Sequence, residues 1–207
     1  GMGVGATSTV VLAACGESEP EPAAAPAPAG PTIVTTTSLW ADLVTALTCD
    51  GLASVRALMP SGADPHAYQP SLADRAVLET ADLVVMNGMV EEGFEPMIRS
   101  VAQEGTAVFR TIDHVETLLL ADDHGEEGVD PHLWMDPVRV SEVLPKLTKQ
   151  IIEAGRLDSA SLQACLDQTQ LLLAKLDEEI RVMVADVPAG RRKFVANHAS
   201  LGYFADR

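Results

Sequence analysis

The chain has 207 residues, 47% apolar but only 4% aromatic, enough for one sizeable domain, or one and part of another, with a core of Leu, Val, Ala, Ile and Met. Fourteen Lys and Arg against thirty Asp and Glu give a formal charge of −16, a field that repels phosphate backbones and argues against nucleic-acid binding. No apolar run reaches the roughly eighteen residues a membrane-spanning helix needs.

Residues Val4 to Ala14 are apolar or small and lead into Leu12-Ala13-Ala14-Cys15-Gly16. This is the pattern at the end of a bacterial signal peptide with a lipobox, in which Cys15 becomes the lipidated first residue of the mature chain. The usual basic start is absent, since Gly1 to Thr9 hold no Lys or Arg. Residues 16–31, GESEPEPAAAPAPAGP, are too rich in Pro, Ala and Glu to build a core and read as an extended tether. Leader (1–15) and tether together imply an exported protein held to the membrane only through a lipid anchor.

From Thr32 the pattern alternates short β-branched runs with helical stretches. It predicts a strand over Thr32–Thr37, a helix over Leu39–Leu47 with Ser38 as N-cap, and a strand over Val55–Met59. A helix from Leu72 to Thr80, a strand at Leu83–Met86, a helix near Phe94–Ala102 and a strand at Ala107–Thr111 follow. Four strands with helices between them imply an α/β fold with a mostly parallel sheet. Residues 112–131 read as an acidic surface loop, and a helix from Pro137 to about Ala154 comes next. Leu162, Leu166, Thr169, Leu173, Leu176 and Ile180 then recur at helical spacing, so 158–186 reads as one helix about 40 Å long. A strand at Lys193–Asn197 leads through His198 into a further helix, and residues 191–207 read as the start of a second lobe, cut off at Arg207. Cys49 and Cys165 match no Cys-x-x-Cys pattern and read as small buried apolar residues. An exported protein could pair them, but spacing does not show that their Cα atoms meet.

Asp-Pro-His occurs twice, at Asp64-Pro65-His66 and Asp130-Pro131-His132, each followed two residues later by an aromatic, Tyr68 and Trp134. Proline fixes φ and stiffens the approach to the histidine, while the aspartate is near enough to orient an imidazole or a backbone N–H. His66 follows a predicted strand, and so does His198. Ligands in α/β sheets bind outside the carboxyl ends of strands. His66, His132 and His198 are therefore the candidate metal ligands, with Asp64 and Asp130 behind them; His114 and His124 are left out of the site.

Four segments carry a family resemblance: Gly62-Ala63-Asp64-Pro65-His66-Ala67-Tyr68, Ala81 to Gly88 (ADLVVMNG), Asp130 to Pro137 (DPHLWMDP) and Asn197 to Phe204 (NHASLGYF). In this order they resemble the zinc and manganese substrate-binding lipoproteins of ABC importers, over about residues 32–207. The resemblance implies a metal-binding α/β lobe at 32–157, a rigid linking helix at 158–186 and a second α/β lobe beginning at 191–207. It further implies a metal cargo held at His66, His132 and His198, a fourth carboxylate ligand beyond Arg207, a membrane permease as partner and a monomeric, non-enzymatic receptor outside the cytoplasmic membrane. A histidine at the third position points to Zn2+ over Mn2+, in keeping with imidazole as a borderline ligand. The rival readings are a manganese receptor of the same family, a zinc-dependent hydrolase, which also uses three histidines and a water, and an adhesion-type surface lipoprotein.

Overall fold

The computed structural model describes residue 1 and residues 30–121 and 127–207. The lipobox with Cys15, the tether up to residue 29, and His124 lie outside the described residues.

Four strands, β1 (Thr32–Thr35), β2 (Ser54–Ala57), β3 (Leu83–Met86) and β4 (Ala107–Arg110), form one parallel sheet in the order β2-β1-β3-β4. Helices α1 (Ser38–Leu47), α2 (Leu72–Leu78) and α3 (Glu95–Gln103) make the crossovers. Central β3 is buried at all four positions, which is why it reads as a continuous apolar run with no alternation. Side chains nonetheless alternate between faces. Ile33, Leu83, Val85 and Phe109 pack under α1 and the two long helices α4 (Pro137–Gly155) and α5 (Ser159–Ala185). Val34, Val84 and Met86 pack against Leu78, Phe94, Ile98 and Val101 on the side of α2 and α3. The result is a three-layer lobe, as expected from the βα alternation.

Helix α4 buries Val140, Val143, Leu144, Leu147 and Ile151, an i, i+3, i+4 stripe that follows from its sequence. Asp136 caps it by accepting Val138 N–H at 2.9 Å, with Pro137 where its missing N–H costs nothing. The 27 residues of α5 agree with the predicted long helix, but only its first half is covered. Leu162, Leu166 and Thr169 are buried against α1 and α4, whereas Leu172, Leu176 and Met183 are exposed.

Several expectations are corrected. The N-cap of α1 is Thr37, not Ser38: its extended backbone (ψ 155°) lets its hydroxyl accept Trp40 N–H. Residues 112–131 are not simply a loop. A 3-10 turn at Thr111–His114 precedes an antiparallel ribbon of β5 (Leu119–Ala121) and β6 (Glu127–Val129), and Leu119 pairs with Val129 in spite of the low apolar content between them. Lys193–Asn197 is not a strand. Among the described residues no neighbour pairs with it, and Phe194 and Val195 are exposed, so the segment has no ladder to join. Finally, Cys49 and Cys165 are not separate apolar side chains. They form a disulfide with Cα atoms 5.7 Å apart, joining the end of α1 to the second turn of α5.

Candidate metal centre

The sheet order reverses direction between β1 and β3, and the crevice beyond their carboxyl ends is where such folds bind ligands. That crevice is built around a buried acid. Glu91, 1% exposed, accepts the Thr36 hydroxyl at 2.7 Å, Asn87 N–H at 3.0 Å and Gly88 N–H at 2.8 Å, so it closes the ends of β1 and β3. Burial pushes its carboxyl pKa up, opposed by these donors. Gly88, at φ 87°, makes the turn that exposes both N–H groups to one carboxylate. The Asn87 amide then donates to Pro131 O at 2.8 Å and pins the second Asp-Pro-His loop over the sheet.

His132 lies at the floor of the crevice and is 2% exposed. Asp130, equally buried, accepts His132 N–H at 3.0 Å and faces its Nδ1 at 2.7 Å. A carboxylate only accepts, so Nδ1 carries the proton and the Nε2 lone pair points outward. Burial is the largest influence on the His132 pKa and lowers it; Asp130 opposes that, and the two neighbouring histidines add to it. His132 is thus held neutral, the form that binds metal. Trp134 sets its edge against the His132 ring, with centroids 5.2 Å apart.

The other two imidazoles arrive from separate segments, His66 from the loop after β2 and His198 from the irregular stretch before α6 (Gly202–Asp206). His66 Nε2 lies 3.3 Å and His198 Nε2 3.0 Å from His132 Nε2, and ligand atoms of all three lie within 4.8 Å of one another. Both outer histidines are exposed, which makes an open site with a buried base. Among the described residues this is the one cluster of His, Cys, Asp and Glu able to hold a metal ion.

The two Asp-Pro-His loops turn out to differ. Asp64 is exposed and only accepts His66 N–H at 3.0 Å, a turn cap with no bond to the ring, whereas Asp130 caps the turn and orients the imidazole. Tyr68 likewise stacks on Phe94 rather than on a histidine. His114 stands apart, stacked on Phe109 at 4.3 Å, with its pKa lowered by burial and by Lys146. Glu91, Asn87 and Tyr203, which bonds Asp130, were not singled out as site residues from sequence; Asn87 and Tyr203 do fall inside the motifs that carry the resemblance, while Glu91 has no local signal.

Comparison with known proteins bears on the family of the chain as a whole. The family model described as zinc-uptake complex component A (ZnuA), periplasmic, matches residues 33–207. The chain belongs to the ZnuA family. This ZnuA-family chain is 32% identical over 177 residues to a putative metal-binding protein of Thermotoga maritima, covering 84% of this chain and 60% of that protein. It is 32% identical over 182 residues to the zinc-binding protein TroA of Treponema pallidum, covering 84% and 56%, and 26% identical to the manganese ABC transporter substrate-binding lipoprotein PsaA of Streptococcus pneumoniae, covering 84% and 57%. The solved structure of the periplasmic zinc-binding protein TroA superposes with a TM-score of 0.73 at 28% identity, over 85% of this chain and 63% of that one. The chain therefore spans less than two thirds of the length of these relatives.

Proposed function

We propose that the chain is an extracytoplasmic solute-binding protein that captures a divalent transition metal, zinc, on His66, His132 and His198 and delivers it to the membrane permease of an ABC importer. One observation carries this reading: three imidazole nitrogens from three separate segments converge, with His66 Nε2 at 3.3 Å and His198 Nε2 at 3.0 Å from His132 Nε2. Tetrahedral zinc with bonds of about 2.0–2.1 Å separates its ligand atoms by roughly 3.3 Å. The two spacings to His132 are thus near those of one ion's ligands, and an all-nitrogen donor set favours zinc over manganese, which prefers carboxylate and carbonyl oxygen.

The relatives' names support the transport role, since both zinc-binding and manganese-transporting members are similar to this chain. The Cys49–Cys165 disulfide supports an oxidising compartment and hence export. No helix among the described residues is long and apolar enough to cross a membrane; the anchor in this reading is a lipid on Cys15. The receptor acts as a monomer, with α5 as a rigid strut about 40 Å long. We read its role as non-catalytic, since Asp130, the carboxylate bonded to His132, is committed to that imidazole and is not free to serve as a general base.

Calorimetric titration of the metal-free protein with zinc tests this. One zinc per chain, lost in His132→Ala and with no hydrolysis of generic esters by the loaded protein, supports it. Ester hydrolysis that depends on the three histidines would replace it with the hydrolase reading. Metabolic labelling with palmitate, abolished by Cys15→Ser, tests the anchor.

A further inference from the structure

The segment that carries His198 continues into α6 and seats two of its residues against Asp130, the carboxylate that orients His132. Tyr203 is completely buried. Its hydroxyl donates to the Asp130 carbonyl oxygen at 2.7 Å and accepts from Leu118 N–H at 3.2 Å, while Asp130 N–H donates to Leu118 O at 2.8 Å. These three bonds form a closed ring that fixes the Asp130 backbone. Burial raises the Tyr203 pKa, so the hydroxyl keeps its proton and remains a donor. The Arg139 guanidinium covers the phenol ring at 4.7 Å and also bonds Asp136 and Asp206, which ties α6 to the start of α4. From the other side, a Cβ on Gly202 would collide with Asp130 Oδ2, so glycine lets α6 close over the carboxylate.

We propose that Tyr203 is a positioning residue for metal capture: by holding the Asp130 backbone it keeps the His132 lone pair aligned with His198, so that two ligands 66 residues apart are set by one shared aspartate. The inference rests on the reading of the histidines as ligands. Its physical content is that a metal site needs its ligand atoms held to within about 0.5 Å. An Asp130 free to turn away would let His132 place its proton on Nε2, where it blocks the ion. Partners that orient a ligand in this way are typically worth about 10–100-fold in metal affinity.

The test uses Tyr203→Phe, which keeps the buried ring under Arg139 and removes only the hydroxyl. Nitrogen NMR of the metal-free protein at about pH 8, where imidazole is neutral, reads the His132 tautomer without any metal. Wild type is expected to show Nδ1–H alone, and the variant a mixture, with zinc affinity reduced about tenfold. Gly202→Ala pushes on the Asp130 carboxylate directly while leaving in place the Tyr203 hydroxyl that holds the Asp130 backbone carbonyl. It is expected to move both readouts the same way, and it decides the matter if Tyr203→Phe does not fold. Ile151→Val, in the core of α4, controls for general loss of stability and leaves both readouts unchanged. A single tautomer and wild-type affinity in folded Tyr203→Phe and Gly202→Ala overturn the proposal while leaving the ligand reading intact. A tautomer mixture in the variants of a protein that binds no metal upholds the positioning role and overturns the ligand reading.

Discussion

Replacing both Cys49 and Cys165 by serine removes a cross-link that spans 116 residues of sequence. In the chain-entropy description, closing a loop of that length restricts the unfolded ensemble by about 5 kcal/mol at room temperature. Small domains have total stabilities of about 5–15 kcal/mol, so the loss is a third of the stability or more. The folded state should change little. On either side of Cys165, Leu162 and Leu166 are buried at 0% and 4% exposure, so apolar burial still docks the first half of α5 after the bridge is gone. The expected outcome is a large fall in the guanidinium unfolding midpoint, read by fluorescence of buried Trp40, with far-ultraviolet dichroism and zinc affinity unchanged. Adding reductant to the unsubstituted protein should reproduce the shift. A loss below about 1 kcal/mol in both experiments refutes the assignment of the cross-link's effect to the unfolded chain.

Other perturbations have equally definite outcomes. Asp130→Asn weakens zinc binding about 10–100-fold by calorimetry, because the orienting carboxylate is lost; Asp64→Asn, which loses only a turn cap on an exposed loop, changes it far less. His132 titrates below the usual 6.5 in the folded, metal-free protein, chiefly through burial. Between that folded value and 6.5 the unfolded chain takes up a proton that the folded chain does not. Stability is therefore full above about pH 6.5 and falls as pH drops below it, a slope that His132→Gln should reduce in urea midpoints; stability rising on acidification through that window would contradict the sign. Leu144→Ala, at a fully buried position of α4, costs about 2–5 kcal/mol by chemical denaturation.

The sheet was legible because its strands announce themselves locally. Leu83–Met86 is four apolar residues in a row between turn signals, and it is a fully buried central strand. The same reasoning failed at Lys193–Asn197, where local propensity is similar but no neighbouring strand supplies pairing among the described residues. Helix α5 was legible in extent but not in burial, since its apolar residues continue past Thr169 into Leu172, Leu176 and Met183, which are exposed. At the site, the repeated Asp-Pro-His marked His66 and His132, yet repetition could not tell that one aspartate is buried beneath its imidazole and the other only caps a turn. What stayed hidden was long-range: Thr36 to Glu91 across 55 positions, Tyr203 to Asp130 across 73, and the disulfide across 116. Pairings of that span follow from the topology of the sheet, and no local pattern encodes them.

The most direct test of the central claim is to equilibrate metal-free protein with equal zinc and manganese, desalt it, and weigh the intact complex by native mass spectrometry beside the triple variant His66→Ala, His132→Ala, His198→Ala. One zinc per wild-type chain and none in the variant is the result expected from imidazole nitrogens 3.0 and 3.3 Å apart. Manganese in preference to zinc, or zinc retained by the variant, would contradict it.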